Sequence, residues 1–243
     1  MGNRLAGRVA LVSGSTRGIG RTIAETFAAE GAKVAVTGRT VEKGQKVVDT
    51  IRAAGGDAEF FPLDITNEQS VHDTIEAVVA RFGSLTTLIN NAAPTAEVAT
   101  TVKPLHEYTT DEWNGIITSA LTGNVFWASK YAWPHLAASG NATIINISSG
   151  QSLRGFTGFG AYGAAKGAMN SVTRTLAVEG APQGIRCNGI IVGRVVAGRG
   201  DSGVGMAKAA NSIGNPGQIA ATALFLASDE SSFINGDLIT ADG

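Results

Sequence analysis

Short, continuous apolar runs alternate along this chain with longer segments in which apolar residues recur every third or fourth position. The runs are rich in β-branched residues and read as buried strands, whereas the longer segments carry one apolar stripe each and read as amphipathic helices. Strands are predicted at 8–12, 33–37, 58–63 and 85–90, with helices at 18–30, 41–54 and 68–82 between them. Val71, Ile75, Val78, Val79 and Phe82 form the stripe of the third helix, and Gly31 stops the first. A long helical stretch at 110–138 leads to a fifth strand around 143–147. Next come a helix at 161–178, a strand at 185–192 and a Gly-rich irregular stretch at 193–217. A helix at 218–227 and a short strand at 237–240 close the pattern.

Strands and helices that alternate at this spacing form right-handed βαβ crossovers. The predicted fold class is therefore α/β, a doubly wound parallel sheet of about seven strands with helices on both faces. The sequence shows no linker, repeat or low-complexity segment, so residues 1–243 are expected to form a single domain.

Composition narrows the function classes. The 243 residues are 44% hydrophobic and 16% charged, a balance that suits a globular protein rather than a disordered one. A formal net charge of −1 gives no attraction to nucleic acid or to an anionic membrane, and neither partner is expected. Cys187 is the only cysteine, so no intramolecular disulfide can form, which fits a reducing compartment. Its flanks suggest core packing rather than nucleophilic chemistry. With three scattered histidines and no second cysteine, a soft-ligand metal site has no basis. The N-terminus enters a strand too soon for a signal peptide, and no apolar run is long enough to span a membrane, so a cytoplasmic location is expected.

Two stretches carry chemistry. The first, Ser13-Gly14-Ser15-Thr16-Arg17-Gly18-Ile19-Gly20, joins the first strand to the first helix. Glycines there permit a tight turn and close backbone approach, and the free N–H groups of a helix start face a phosphate. Glycine also builds any tight βα turn, but this position is the one that dinucleotide binding requires. The second strand ends in Thr37-Gly38-Arg39, with no acid to accept bonds from the adenosine ribose hydroxyls. Arg39 and Arg17 are placed to pair with a 2′-phosphate instead, which points to NADP(H) over NAD(H).

The second stretch runs from Ser149, at a strand's C-terminal end, to Lys166. Tyr162 and Lys166 lie one turn apart on a helix face, and Ser149 stands 13 residues before the tyrosine. A phenol beside a cation and a hydroxyl is a proton donor for carbonyl chemistry, because a neighbouring cation lowers a tyrosine pKa from its usual value of about 10. A Tyr and a Lys that merely share a solvated helix face are the alternative.

Together these motifs resemble the short-chain dehydrogenase/reductase family, in particular its single-domain branch that includes the 3-oxoacyl-carrier-protein reductases. The resemblance covers nearly the whole chain and implies a Rossmann-type fold. Asp64, in Leu63-Asp64-Ile65, matches the family's adenine-contacting acid, and Asn90-Asn91-Ala92-Ala93 matches its Asn-Asn-Ala-Gly. Ser149, Tyr162 and Lys166 match the catalytic serine, tyrosine and lysine, while 224–229 and 241–243 match the C-terminal signature. The cofactor site so implied comprises Gly14, Ser15, Thr16, Arg17, Gly18, Ile19, Gly20, Arg39, Asp64, Ile65, Asn90, Ala92, Tyr162, Lys166 and Gly193. In this resemblance Lys166 also binds the nicotinamide ribose and lowers the tyrosine pKa.

The departures are as specific. The family's helix asparagine, seven residues after a Trp, falls on Ala120; the next amide is Asn124, and one extra residue precedes Pro134. The usual Pro-Gly after strand six is Val192-Gly193, and a common threonine falls on Ala197, while Asn188 sits near its family place. The expected activity is reduction of a carbonyl, or oxidation of a secondary alcohol, with NADP(H). A nucleotide-binding regulatory or scaffolding protein without useful turnover is the alternative. Residues 94–97, 151–159 and 193–217 are expected to wall the substrate pocket, with Phe156 and Phe159 as apolar contacts and Arg154, Arg194 and Arg199 as candidate anion grips. The aromatic residues Phe126, Trp127, Tyr131 and Trp133 on the long helix, with the helix after Tyr162, predict a homodimer or homotetramer.

Overall fold

A computed structural model of the chain describes residues 2–94, 98, 100–195 and 213–243. Its strands are β1 (Val9–Val12), β2 (Lys33–Gly38), β3 (Asp57–Pro62), β4 (Thr87–Asn90), β5 (Ala142–Ser149), β6 (Ile185–Val192) and β7 (Leu238–Ala241). All pair in parallel in the order β3-β2-β1-β4-β5-β6-β7. This is a Rossmann-like α/β fold. Strand order reverses between β1 and β4, and the crevice at their C-terminal ends is where such sheets bind ligands.

Side chains alternate across the sheet, so one strand feeds two cores. Ala10 and Val12 of β1 join the core under α1 (Gly18–Ala29), α2 (Val41–Ala53) and the last long helix, Pro216–Ala227. Val9 and Leu11 face the opposite core, against α3 (Glu68–Phe82) and the helix Ala128–Ser139. Cys187 lies fully buried in this second core, and burial pushes its thiol pKa far up. Helix ends follow local chemistry: Asn67 caps α3 at Ser70 N–H, and Gly83 ends it in the left-handed conformation.

The long helix departs from its sequence pattern. The uninterrupted helix expected at 110–138 is three pieces: α4 (Thr110–Ile117), a π-helical segment (Thr118–Trp127) and α5 (Ala128–Ser139). A π turn holds one residue more than an α turn, so the segment absorbs the extra residue without shifting the flanking helices out of register. Helix α6 (Gly160–Gly180) carries Tyr162 and Lys166, and α7 (Pro216–Ala227) starts two residues earlier than its pattern predicts because Pro216 follows the capping residue Asn215.

Candidate active site

The glycine loop is shaped for close approach. Gly14 and Gly18 have φ of +65° and +55°, a region where a side chain is strained. A Cβ on Gly14 would stand 3.0 Å from Ala92 Cα, and one on Gly20 would stand 2.5 Å from the Gly14 carbonyl oxygen. No side chain caps the start of α1 at Arg17, which leaves the first N–H groups of the helix without a side-chain partner from the cap. The Ser15 hydroxyl turns inward: its Oγ donates to Val12 O (2.8 Å) and accepts from Thr37 N (2.8 Å). Loop conformation and open helix start fit a dinucleotide pyrophosphate.

Around this loop the other expected residues take different places. Arg39 is exposed beyond β2, and its charge helps hold the Asp64 carboxyl below its ordinary range, after the larger effect of hydrogen bonds from the Thr66 hydroxyl and amide. The two therefore face the same end of the crevice. Asn90 is fully buried and donates to Asn146 Oδ1 (2.8 Å), so its side chain supports the sheet. The bond to the loop comes from its neighbour: Asn91 Nδ2 donates to the carbonyls of Ser13 (2.8 Å) and Gly14 (3.2 Å). Sequence reasoning assigns no role of their own to Asn91 and Ser13; only the fold brings β1 and β4 side by side.

Ser149 ends β5, and Tyr162 lies in the first turn of α6, close enough for the Ser149 hydroxyl to act on its phenol. Burial pushes the phenol up to about 12, and the Ser149 hydroxyl acts in the opposite direction. Lys166 is buried, donates from Nζ to Ile147 O (2.7 Å) and lies 5.6 Å from the centre of the Tyr162 ring. Burial lowers its ammonium to about 7. The expected depression of the phenol by the lysine is not found: burial raises the phenol, and what opposes it comes from Ser149. Asn170, one turn after Lys166, binds the serine strand on both sides: Ser148 Oγ donates to its Oδ1 (2.7 Å), and its Nδ2 donates to Ser152 Oγ (2.8 Å). Ser152 in turn donates to Ser149 O (2.6 Å).

The β5–β6 register sets Val192 beside Ser149. Gly193 follows, where a Cβ would stand 2.6 Å from Asp242 Cα, so only glycine fits the approach of the C-terminal segment. Arg194 Nε is buried and without a hydrogen-bond partner among the described residues. Arg154 pairs loosely with Asp242 at 3.8 Å. Phe159 is buried and Phe156 half-buried, Leu153 is exposed, and the exposed Val102 and Leu105 lie against Gly158 and Gly160 of the same segment. Of the predicted pocket walls, 95–97 and 196–212, with Ala197 and Arg199, lie outside the described residues. Ala120 is fully buried in the π-helical segment, as is Asn124. Asn188 holds β7 in place, accepting from Asp237 N (3.0 Å) and donating to Ile234 O (2.9 Å).

A Rossmann-like sheet with a glycine loop at its switch point and a serine, tyrosine and lysine beside it defines an oxidoreductase that uses a nicotinamide cofactor. The chain belongs to the short-chain dehydrogenase/reductase family: residues 14–243 match the family model described as enoyl-(acyl carrier protein) reductase. It is 38% identical to the 2,5-dichloro-2,5-cyclohexadiene-1,4-diol dehydrogenase LinX of Sphingobium indicum, over all of this chain and 98% of that one. It is 36% identical to the cis-4-hydroxycyclohexanecarboxylate dehydrogenase of Sinomonas cyclohexanicum, over 100% and 98% of the two chains. Among solved structures, a hydroxysteroid dehydrogenase from Escherichia coli superposes with a TM-score of 0.87 at 28% identity, covering 99% of this chain and 97% of that one. Among the described residues, no helix is long and apolar enough to cross a membrane.

Proposed function

We propose that the protein is an NADP(H)-dependent dehydrogenase/reductase that interconverts a ketone and a secondary alcohol, with Tyr162 as general acid and base. The observation that carries this reading is the position of Tyr162 beside Ser149, with Lys166 Nζ 5.6 Å from the centre of its ring. The nicotinamide, when bound, supplies or accepts the hydride. Ser149 donates a hydrogen bond to the substrate oxygen and fixes it against the phenol. A phenol held at about 12 carries its proton at neutral pH, the form needed to protonate that oxygen during reduction. Lys166 stabilises the tyrosinate that results, and it binds the ribose hydroxyls. Gly14–Gly20 backbone N–H groups hold the pyrophosphate, and Arg17 and Arg39 take the 2′-phosphate.

The substrate is read as an apolar body that carries an acid. Exposed Val102 and Leu105, which lie against Gly158 and Gly160, and Leu153 in the adjoining segment supply the apolar contacts. The Nε of Arg194, buried and without a partner among the described residues, favours an anionic acceptor, since a buried N–H left unbonded is costly. The relative that oxidises a hydroxycyclohexanecarboxylate has this chemistry in its name. The alternative, a nucleotide-binding protein without turnover, draws on buried Ala120 in place of the family asparagine.

The test is a panel of cyclic and open-chain ketones and 3-oxoacyl thioesters, with and without a carboxylate, followed at the nicotinamide absorbance. Turnover is expected, and Tyr162→Phe should lower it by about two orders of magnitude or more with cofactor affinity nearly unchanged. Retained activity in Tyr162→Phe refutes the mechanism. Tight cofactor binding without oxidation or reduction of any panel member favours the alternative.

A further inference from the structure

The π-helical segment touches the cofactor crevice from behind at two points. Ser13 Oγ accepts hydrogen bonds from the amides of Asn91 and Ala92, both at 2.9 Å. A hydroxyl has one proton and two lone pairs. With both lone pairs taken, its remaining partner must be an acceptor. That partner is Asn124, whose Oδ1 receives the Ser13 proton at 2.7 Å; Ile89 O, at 3.1 Å, is the only competitor among the described residues. Beside it, Gly123 lies so close to the Ile65 carbonyl oxygen that a Cβ would overlap it. The segment therefore fixes the end of β1, the turn after β4 and the turn after β3.

Asn124 does this at a cost. Its Nδ2 is buried without a partner among the described residues, at the edge of a small, mostly apolar cavity lined by Leu11, Leu63, Val71, Ile75 and Leu88. A buried, unsatisfied amide N–H destabilises a protein, so packing alone does not account for an asparagine here. Its carbonyl does.

We propose that Asn124 is a positioning residue of the dinucleotide cradle, placed there by the π-helical insertion. By taking the Ser13 proton it orients the hydroxyl so that its lone pairs face the Asn91 and Ala92 amides, which seats Ala92 against Gly14 and leaves Asn91 free to bind the loop carbonyls. Without Asn124 the proton has only Ile89 O to turn to, and the lone pairs rotate off the two amides. Gly123 sets Ile65 by direct contact. The effect on affinity rests on the loop holding a dinucleotide; the effect on the loop itself does not.

Asn124→Ala, Ser13→Ala and the double variant test this in the full chain. Hydrogen exchange at the Asn91 and Ala92 amides, measured without cofactor, should accelerate about tenfold in Asn124→Ala. Calorimetric NADPH affinity should weaken about five- to tenfold, a larger loss than that in kcat at saturation. Because Asn124 acts through Ser13, adding Asn124→Ala to Ser13→Ala should produce little further change in either quantity. Wild-type exchange and affinity in a folded Asn124→Ala protein, or losses that add fully in the double variant, overturn the proposal. Should Asn124→Ala fail to fold, Ser13→Ala decides by itself: unchanged exchange at Asn91 and Ala92 overturns it. Failure of the wild type to bind either NADPH or NADH refutes the dinucleotide reading, and the exchange measurement still decides the role of Asn124.

Discussion

Lys166 donates an Nζ proton to the carbonyl of Ile147 at 2.7 Å, while the ring of Tyr162 stands 5.6 Å away. The lysine is anchored to the strand that carries Ser149, so strand and helix are joined at the place where chemistry is proposed. It is anchored at the expense of solvation, which lowers its ammonium to about 7 from an ordinary 10.5.

Stability should record that expense. A base whose folded pKa lies below its unfolded value binds more protons when unfolded, so stability rises with pH from about 7 to about 10.5. Every tenfold loss of proton affinity on folding corresponds to about 1.4 kcal/mol. Lys166→Met is therefore expected to melt several degrees above the parent protein at pH 6 to 7, with the difference closing toward pH 10, while activity is lost. Thermal unfolding across that range is the check; a difference independent of pH would show that the buried charge is not its source.

Arg39 bears on cofactor choice. It stands near enough to Asp64 for its charge to act on that carboxyl, and no acid follows β2. NADPH should bind at least about tenfold tighter than NADH, or roughly 1.4 kcal/mol. Arg39→Asp should reverse or abolish the preference. Equal calorimetric affinities in the parent protein would refute it.

Restoring the family asparagine should not help this chain. Ala120 is fully buried within the π-helical segment. An asparagine there must overpack the site and bury an amide, at a cost of about 1–3 kcal/mol. Ala120→Asn is expected to lower the melting temperature and leave kcat no higher. A rise in kcat, or a broader pH profile, would show that a relay had been waiting for that amide.

Assembly rests on fewer aromatics than the pattern indicated. Tyr131 donates to Glu68 Oε1 (2.7 Å), Trp133 donates to Gln183 Oε1 (3.2 Å), and Trp127 packs partly on the core. Phe126 remains exposed, as does Val178 on α6. Light scattering at micromolar concentration should find a dimer or tetramer, and Phe126→Asp should shift it toward monomer. Monomer alone in the parent protein would rule this out.

Much of the molecule is legible in its pattern. Helix α3 and strand β6 have the bounds that the apolar stripe and the β-branched run mark out, because a buried face must repeat with the period of its element. The glycine loop and the spacing of Ser149, Tyr162 and Lys166 are local too, since turn geometry and one helical turn are properties of adjacent residues.

What the chain order hides belongs to contacts between strands and helices far apart in sequence. Ser13, Asn91 and Asn124 meet only because β1 pairs with β4 and the π-helical segment packs behind both. The extra residue before Pro134 is countable in the sequence, but whether it ends a helix, shifts it or widens one turn depends on the cores that hold both flanks in place. The pKa values of Tyr162 and Lys166 were decided in the same way. Their spacing predicts a phenol lowered by a cation, yet burial by the packed sheet and helix raises the phenol and lowers the lysine. Sequence determined which groups stand one turn apart; only tertiary packing determined how much water each keeps.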